Sequence, residues 1–422
     1  KIPGMSKSVG LKWGLMVFLL LVIGILLYQV PAIKLRVDWR LDIARTYLRN
    51  VINPVGDVPT PQPQPAVAVT SFPTQVPTAQ PTEALLPTST QAVIPTQTAV
   101  PTALPEFVDL GSPAWEKQTP NNCGPATLSL YLKTYNWDGD QNSISDQLKP
   151  ETGDRNVNVE ELTHYVRTQA GWLNAEYGVG GDIDTLKKLR AAGLPVMIEE
   201  GDLLDGEYWP NDDRWAGHYL LLTGYDDASQ SFIAQDTFRS PDLNVPYQSV
   251  MDNWQAFNYV YLLVFQPEQL DLVKSILGEH WDADVNRQEA LALAEAQTKS
   301  DPDNAFTWFN LGSNLVYFER YQEAAQAYDM ARQIGLPQRM LRYQFGPFFA
   351  YFFGGRNDDL LVLTEYALQR TPNSEETLLW RGWGNYRAGD TPAAIRDFQA
   401  ALVENPFYQD AEYALDYVVE NP

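Results

Sequence analysis

The sequence holds one cysteine, Cys123, in 422 residues. A lone thiol cannot close an internal disulfide, and it cannot by itself build a thiolate metal site. Histidine is nearly as scarce: His164, His218 and His280 stand far apart, with no cysteine and histidine at zinc spacing. Basic charge is outnumbered, 30 Lys and Arg against 53 Asp and Glu for a net charge of −23. Polyanions bind basic surfaces, so this balance argues against a nucleic-acid partner. No metal or cofactor is expected.

Long apolar runs are scarce too, with one exception. Trp13 to Val30 reads WGLMVFLLLVIGILLYQV without a charge, close to the ~17–25 residues that cross a bilayer as a helix. No convincing small-residue cleavage site follows, so an uncleaved signal anchor is expected. Residues 1–57 would then comprise a transmembrane helix (about 13–30) and a juxtamembrane segment. Lys1, Lys7 and Lys12 precede the run while Lys34, Arg36, Arg40, Arg45 and Arg49 follow it, so positive charge alone does not orient it. An N-terminus inside a cell membrane, crossed once, with the later domains outside the cytoplasm, suits what comes next. Ile33 to Ile52 mixes basic and apolar residues, and either lies on lipid headgroups or continues the anchor helix.

Residues 58–105 carry one charged residue, Glu83, and repeat Pro-Thr at Pro73, Pro77, Pro81, Pro95 and Pro101. Such a segment cannot form a core and is expected to be a disordered spacer. If polyproline-like, it reaches on the order of 100 Å at ~3.1 Å per residue.

Residues 106–268 read as an α+β unit. Helices are expected from the cysteine to Tyr135, from Asn158 (a capping box with Glu161) through Thr168, and over Asp182–Ala192, closed by Gly193. Strand-like runs follow at 195–198, 218–224, 231–236 and 259–265, an order that favours α+β over a parallel βαβ sheet. Residues 269–422 are expected to be an all-α tetratricopeptide-repeat solenoid. Gly312, Ala324, Tyr328 and Ala331 return 70 residues later as Gly382, Ala394, Phe398 and Ala401, about two 34-residue periods, with a degenerate copy between them.

Cys123 lies in Gln118-Thr-Pro-Asn-Asn-Cys123-Gly124-Pro125-Ala126, at a helix start. It is either an inert buried side chain or a nucleophile, and its neighbours favour the nucleophile. The unpaired N–H groups and dipole of a helix N-terminus lower a thiol's pKa from its free value of ~8.5. Such a thiol needs an imidazole and a group to orient it. His218 opens an apolar strand and fits the base, whereas His164 and His280 fit surface or packing roles. If Tyr225 pairs with Ser231 across the following hairpin, His218 faces Phe238, and Asp236 becomes its diagonal neighbour on the same face. Gln118 is suited to donate, with the Cys123 N–H, to an oxyanion; by itself it would be a surface amide.

These residues resemble the papain-like cysteine peptidases of the bacteriocin-processing (double-glycine leader) type. The likeness rests on Gln118, Asn122-Cys123-Gly124-Pro125-Ala126, Gly217-His218-Tyr219, Thr223-Gly224-Tyr225-Asp226 and Asp236, and on the passage Thr185 to Val196. It spans roughly residues 110–266. It implies Cys123 as nucleophile, His218 as general base and acid, Asp236 as orienter and Gln118 in the oxyanion hole. The best-known members are fused to exporters, which this chain lacks.

Two functions are compatible with the sequence. In the first, the protein is a membrane-anchored cysteine peptidase whose repeats recruit a peptide or protein substrate or a partner protein; transfer to an amine would use the same residues. In the second, it is a non-catalytic adaptor with a peptidase-like binding domain. Glu199, Glu200, Asp202, Asp205, Glu207, Asp212 and Asp213 crowd the segment before His218. They read as a solvated loop, with an acidic rim for basic substrates or a weak calcium site as alternatives. Trp115, Trp172, Trp215 and Trp254 are assigned to the core rather than to a cleft.

Overall fold

The computed structural model describes residues 7–62, 103–149 and 156–421. Two helices lead, α1 (Lys7–Tyr28) and α2 (Pro31–Ile52), separated where Pro31 opens the second. Large side chains from Trp13 to Tyr28 are exposed. The expected transmembrane helix is not found: no helix among the described residues is long and apolar enough to cross a membrane. The uncharged part of α1 ends at Tyr28, about 24 Å at ~1.5 Å per residue against a ~30 Å hydrocarbon core.

The spacer also begins later than expected. Residues 53–62 lie against the repeats, Val58 is buried, and Arg370 donates to the carbonyls of Val55 and Gly56, both at 2.7 Å. Arg332 donates to the Pro59 carbonyl at 2.8 Å. Proline-rich backbone keeps every carbonyl free to accept, and buried guanidinium groups supply the donors. The rest of the expected spacer, 63–102, lies outside the described residues.

The α+β unit is a seven-stranded antiparallel sheet in the order β2-β7-β3-β4-β5-β6, with β1 on the upper part of β4. The strands are β1 (Phe107–Asp109), β2 (Asn174–Gly178), β3 (Val196–Leu203), β4 (Trp215–Asp226), β5 (Ser231–Gln235), β6 (Leu243–Pro246) and β7 (Tyr261–Phe265). Strand alternation divides its side chains. Met197, Tyr219, Leu221, Leu262 and Val264 face α3 (Cys123–Lys133), α4 (Gln141–Leu148) and α5 (Val159–Gln169). Ile198, Leu220, Leu222, Tyr261 and Leu263 face α6 (Ile183–Ala191), α7 (Tyr247–Trp254) and α8 (Leu270–Leu277). The Asn158–Glu161 capping box opens α5 as expected.

Helical repeats follow: α9 (Ala283–Ser300), α10 (Ala305–Tyr317), α11 (Tyr321–Ile334), the short α12 (Met340–Tyr343), α13 (Gly346–Phe353), α14 (Asn357–Arg370), α15 (Glu375–Arg387), α16 (Thr391–Glu404) and a capping α17 (Gln409–Glu420). A side chain at Gly312 would collide with the Tyr328 ring, and one at Gly382 with Phe398; the small residue and the ring are one packing unit. The boundary differs from residue 269, because Val273 and Leu277 of α8 belong to the sheet's core. Polar bonds tie the two units together: Asn286 donates to and accepts from the Val179 backbone, and Asn258 pairs with Asn314 at 2.8 Å.

Candidate active site

Cys123 is the first residue of α3 and is half-buried. The loop before it is shaped by Gln141 of α4. The Gln141 side-chain oxygen accepts from the Thr119 N–H at 2.8 Å and from the Asn122 amide at 3.0 Å, while its nitrogen donates to the Lys117 carbonyl. Asn121 takes a positive φ of 58°, which asparagine tolerates better than most residues. Gly124 allows the Tyr219 ring to approach within 3.3 Å of where a Cβ would sit.

His218 comes from β4 and Asp236 directly follows β5. At the turn, Asp226 pairs with Ser231 and Tyr225 with Phe232, one residue away from the expected register. A bulge between Leu222 and Gly224 absorbs the difference, and Leu221 pairs with Gln235. Beyond the bulge Asp236 is therefore the diagonal neighbour of His218 after all. His218 Nε2 lies 3.0 Å from Asp236 Oδ1, which leaves Nδ1 for the sulfur. Asp236 Oδ1 also accepts from the backbone N–H groups of Phe238 at 2.8 Å and Arg239 at 3.0 Å, and Oδ2 from the Arg239 guanidinium at 3.0 Å.

The electrostatics favour an ion pair. Burial alone would push the Cys123 thiol up, but the hydrogen bond and charge of His218, the Lys149 ammonium and the Gly124 N–H together bring it below its ordinary value. Burial would likewise lower His218, yet hydrogen bonds and charge from Asp236 and Cys123 raise it well above the usual imidazole range. Asp236 is held far below the carboxylate range, since its contacts with His218 and Arg239 outweigh burial. Two further carboxyls flank the site on β3. Glu200 pairs directly across from His218, and burial pushes it up to about 8, the His218 charge only partly opposing. Glu199, on the other face beside Tyr219 and Cys123, is raised by burial as well.

Gln118 lines the same cleft as Cys123 and His218, a space of about 240 Å³. Its side-chain oxygen accepts from the Thr237 hydroxyl at 2.9 Å, so its NH2 end is the one available to the cleft. All four predicted residues are thus brought to one site. His164 is exposed and His280 pairs with Glu289, away from it. Trp215 and Trp254 are buried core residues, whereas Trp115 donates to the Asp236 carbonyl at 3.2 Å. The cleft's tryptophans are two others, Trp39 of α2 and Trp209, and the repeats supply Arg339, Arg342 and Tyr343.

The acidic segment is a solvated loop only in part, with Asp205, Glu207 and Asp213 exposed. Glu199, Glu200 and Asp212 are buried, and Asp212 is ion-paired with Arg339. Among the described residues no group of three or more His, Cys, Asp and Glu side chains is placed to hold a metal ion. Sequence reasoning missed Gln141, Arg239 and Trp39. Of these only Arg239 left a signal, an arginine three residues past Asp236 in a tight turn.

Residues 112–262 match the model of the Peptidase_C39 like family. No curated protein matches the chain. Solved structures similar to it include a C39-like peptidase from Bacillus anthracis, 17% identical over 38% of this chain and 98% of that one, TM-score 0.31. Another is the cysteine protease xylellain from Xylella fastidiosa, 15% identical over 39% and 87%, TM-score 0.29. A third is a tetratricopeptide-repeat protein with an unusual peptide-binding site, 16% identical over 40% and 95%, TM-score 0.19.

Proposed function

We propose, from the premise that residues 112–262 form a domain of the C39-like peptidase family, that this protein is a cysteine peptidase working through Cys123, His218, Asp236 and Gln118. The observation that carries the reading is the meeting of Cys123, His218 and Asp236 at one site, with 3.0 Å between imidazole and carboxylate and with thiol and imidazole lining the same cleft. The Cys123 thiolate attacks the peptide carbonyl, and the oxyanion is received by the Gln118 NH2 and the Cys123 N–H. His218 then protonates the leaving amine, and it later takes a proton from the water that releases the acyl-enzyme. Asp236 keeps the ring aligned and balances its charge.

The repeats are assigned to substrate or partner recruitment, because they form part of the cleft wall. Attachment to a membrane, with the peptidase domain outside the cytoplasm, is also part of the proposal. It rests on the exposed apolar side chains of α1, whose uncharged part is shorter than a full span, so that thinning of the bilayer or flanking residues would have to complete the crossing. Retention of the protein in the alkaline-washed membrane pellet, lost on deleting residues 1–30, tests this part.

The test of the activity is N-terminal profiling of cellular proteins with wild type and Cys123→Ala, together with labelling by a thiol-directed probe. Cleavages present only with wild type are expected. Cleavage that survives the alanine change, or labelling no faster than an ordinary exposed thiol, leaves the adaptor function instead.

A further inference from the structure

A second, larger space of about 990 Å³ lies where the inner helices of the repeats face α5 and the β2–β3 side of the sheet. It stands at the upper end of the ~300–1,000 Å³ usual for ligand sites. Its walls combine two kinds of side chain. Aromatic rings come from the repeats, among them Phe353, Trp383 and Tyr413, with Phe353 and Tyr413 more than half exposed, at 51% and 66%. Besides Glu199, which burial holds toward its neutral form, five carboxyl side chains, including Glu160, Glu376 and Asp410, face a single guanidinium, that of Arg287. Arg287 is itself engaged, stacked over Tyr317 at 4.8 Å.

This space adjoins the catalytic cleft. Tyr343 lines both, and Glu199 lines the large space on one side and a small recess against Cys123 on the other. Tyr343 is held there by edge contacts with Trp215 at 5.8 Å and Phe257 at 6.1 Å. A polypeptide lying in the cleft and passing Tyr343 therefore reaches the aromatic space within a few residues of the scissile bond. Excess negative charge beside exposed aromatic faces suits a lysine or arginine, through both Coulomb attraction and cation–π contact. Uncharged ring surface suits a neighbouring aromatic side chain.

We propose that this space is a distal subsite of the catalytic cleft, binding a stretch of the polypeptide substrate that carries a lysine or arginine next to an aromatic residue. The inference rests on the peptidase reading above and adds a substrate class to it.

Two measurements test it apart from that reading. In the first, a positional-scanning library of fluorogenic decapeptides is offered to wild type, Tyr413→Ala and Glu160→Lys, both changes being at exposed positions. Wild type is expected to select Lys or Arg together with an aromatic residue at positions remote from the cut. Tyr413→Ala should lower kcat/KM for such peptides about tenfold, the size of one good aromatic contact, without affecting peptides that lack them. Glu160→Lys should abolish the basic preference. In the second, catalytically silent Cys123→Ala is titrated with a dye-labelled peptide containing Lys-Trp and with its Ala-Ala counterpart, followed by anisotropy. Tighter binding of the Lys-Trp peptide, weakened by Tyr413→Ala in the same background, supports the subsite. If the library is cut without remote selectivity, or with selectivity that both variants keep, the subsite is wrong and the peptidase stands. If nothing is cut, the peptidase reading fails, and equal binding of the two labelled peptides then overturns the subsite too.

Discussion

Arg339 grips Asp212 with both guanidinium nitrogens, each 2.5 Å from a carboxylate oxygen, so a side chain of the repeats is locked to a loop of the α+β unit. The guanidinium also stacks on Trp209, 4.0 Å from the ring centroid, with Arg370 over the same ring at 4.7 Å. Both members of the pair are buried. Removing one partner of such a pair leaves an uncompensated charge, typically costing ~3–5 kcal/mol. Arg339→Ala should therefore lower the melting temperature clearly, with little response to salt. Burial opposes ionisation of Asp212, but its bonds to Arg339 and the backbone hold its pKa below the ordinary value. The stabilisation is thus present above the unfolded-state pKa and is lost as pH falls through the folded one. The difference in melting temperature between wild type and Arg339→Ala should shrink in acid; a constant difference from pH 7 to strong acid would count against the clamp.

The lowered Cys123 thiol and the raised His218 imidazole shift their equilibrium toward the ion pair. Because the two groups titrate as a unit, kcat/KM should rise in acid as the pair forms, hold a plateau, and fall in alkali as His218 loses its proton. In His218→Ala, burial of the thiol is left unopposed by imidazolium. The pH dependence of alkylation by iodoacetamide should then move above that of a free thiol, ~8.5. An unmoved alkylation profile would mean that the imidazole does not govern the sulfur.

Much of this site was legible because its signals are local. Cys123-Gly-Pro opens a helix, the leucines of β4 alternate between two cores, and Asn158 with Glu161 caps α5. What was not legible depends on distant chain. Glu199 and Glu200 look like loop residues, yet pairing of β3 with both β4 and β7 carries them inside. Asp212 looked solvated because Arg339 lies more than a hundred residues away. The bulge near Thr223 leaves no mark in the hydrophobic pattern, and the expected Asp236 placement survived only because the bulge compensates for a misplaced turn. Pro59 reads as spacer until Arg332 and Arg370 supply a buried surface for it.

Glu200 stands opposite His218, and burial pushes its carboxyl up to about 8. A group whose folded pKa lies above its unfolded one favours the fold below the unfolded pKa, and that contribution disappears as pH rises through the folded value. Glu200→Gln should consequently leave stability nearly unchanged at pH 4 and raise it at pH 9. It should also remove an inflection near pH 8 from the activity profile, since the ionised carboxylate beside His218 stabilises the imidazolium. Equal melting temperatures for the two proteins at pH 9 would place the Glu200 charge in contact with water or a partner instead.

The N-terminal segment reaches the cleft of Cys123 and the repeats together. Trp39 lies edge-on to Tyr208 at 5.9 Å in the cleft wall, and Asn50, about three turns further along α2, accepts from Arg370 at 3.1 Å. Arg370 in turn holds the Val55 and Gly56 carbonyls, so its side chain ties α2 to the repeats while stacking on Trp209. Arg370→Ala strips three acceptors of one buried donor group, and hydrogen bonds to a charged donor contribute ~1.5–3 kcal/mol each at most. The expected result is a lower melting temperature and faster proteolysis between residues 50 and 62. Trp39→Ala, by contrast, removes a half-buried ring from the cleft wall. It should change KM for peptide substrates while melting temperature and kcat stay close to wild type. A fall in kcat with KM unchanged would show that α2 acts on the chemistry of the site rather than on binding.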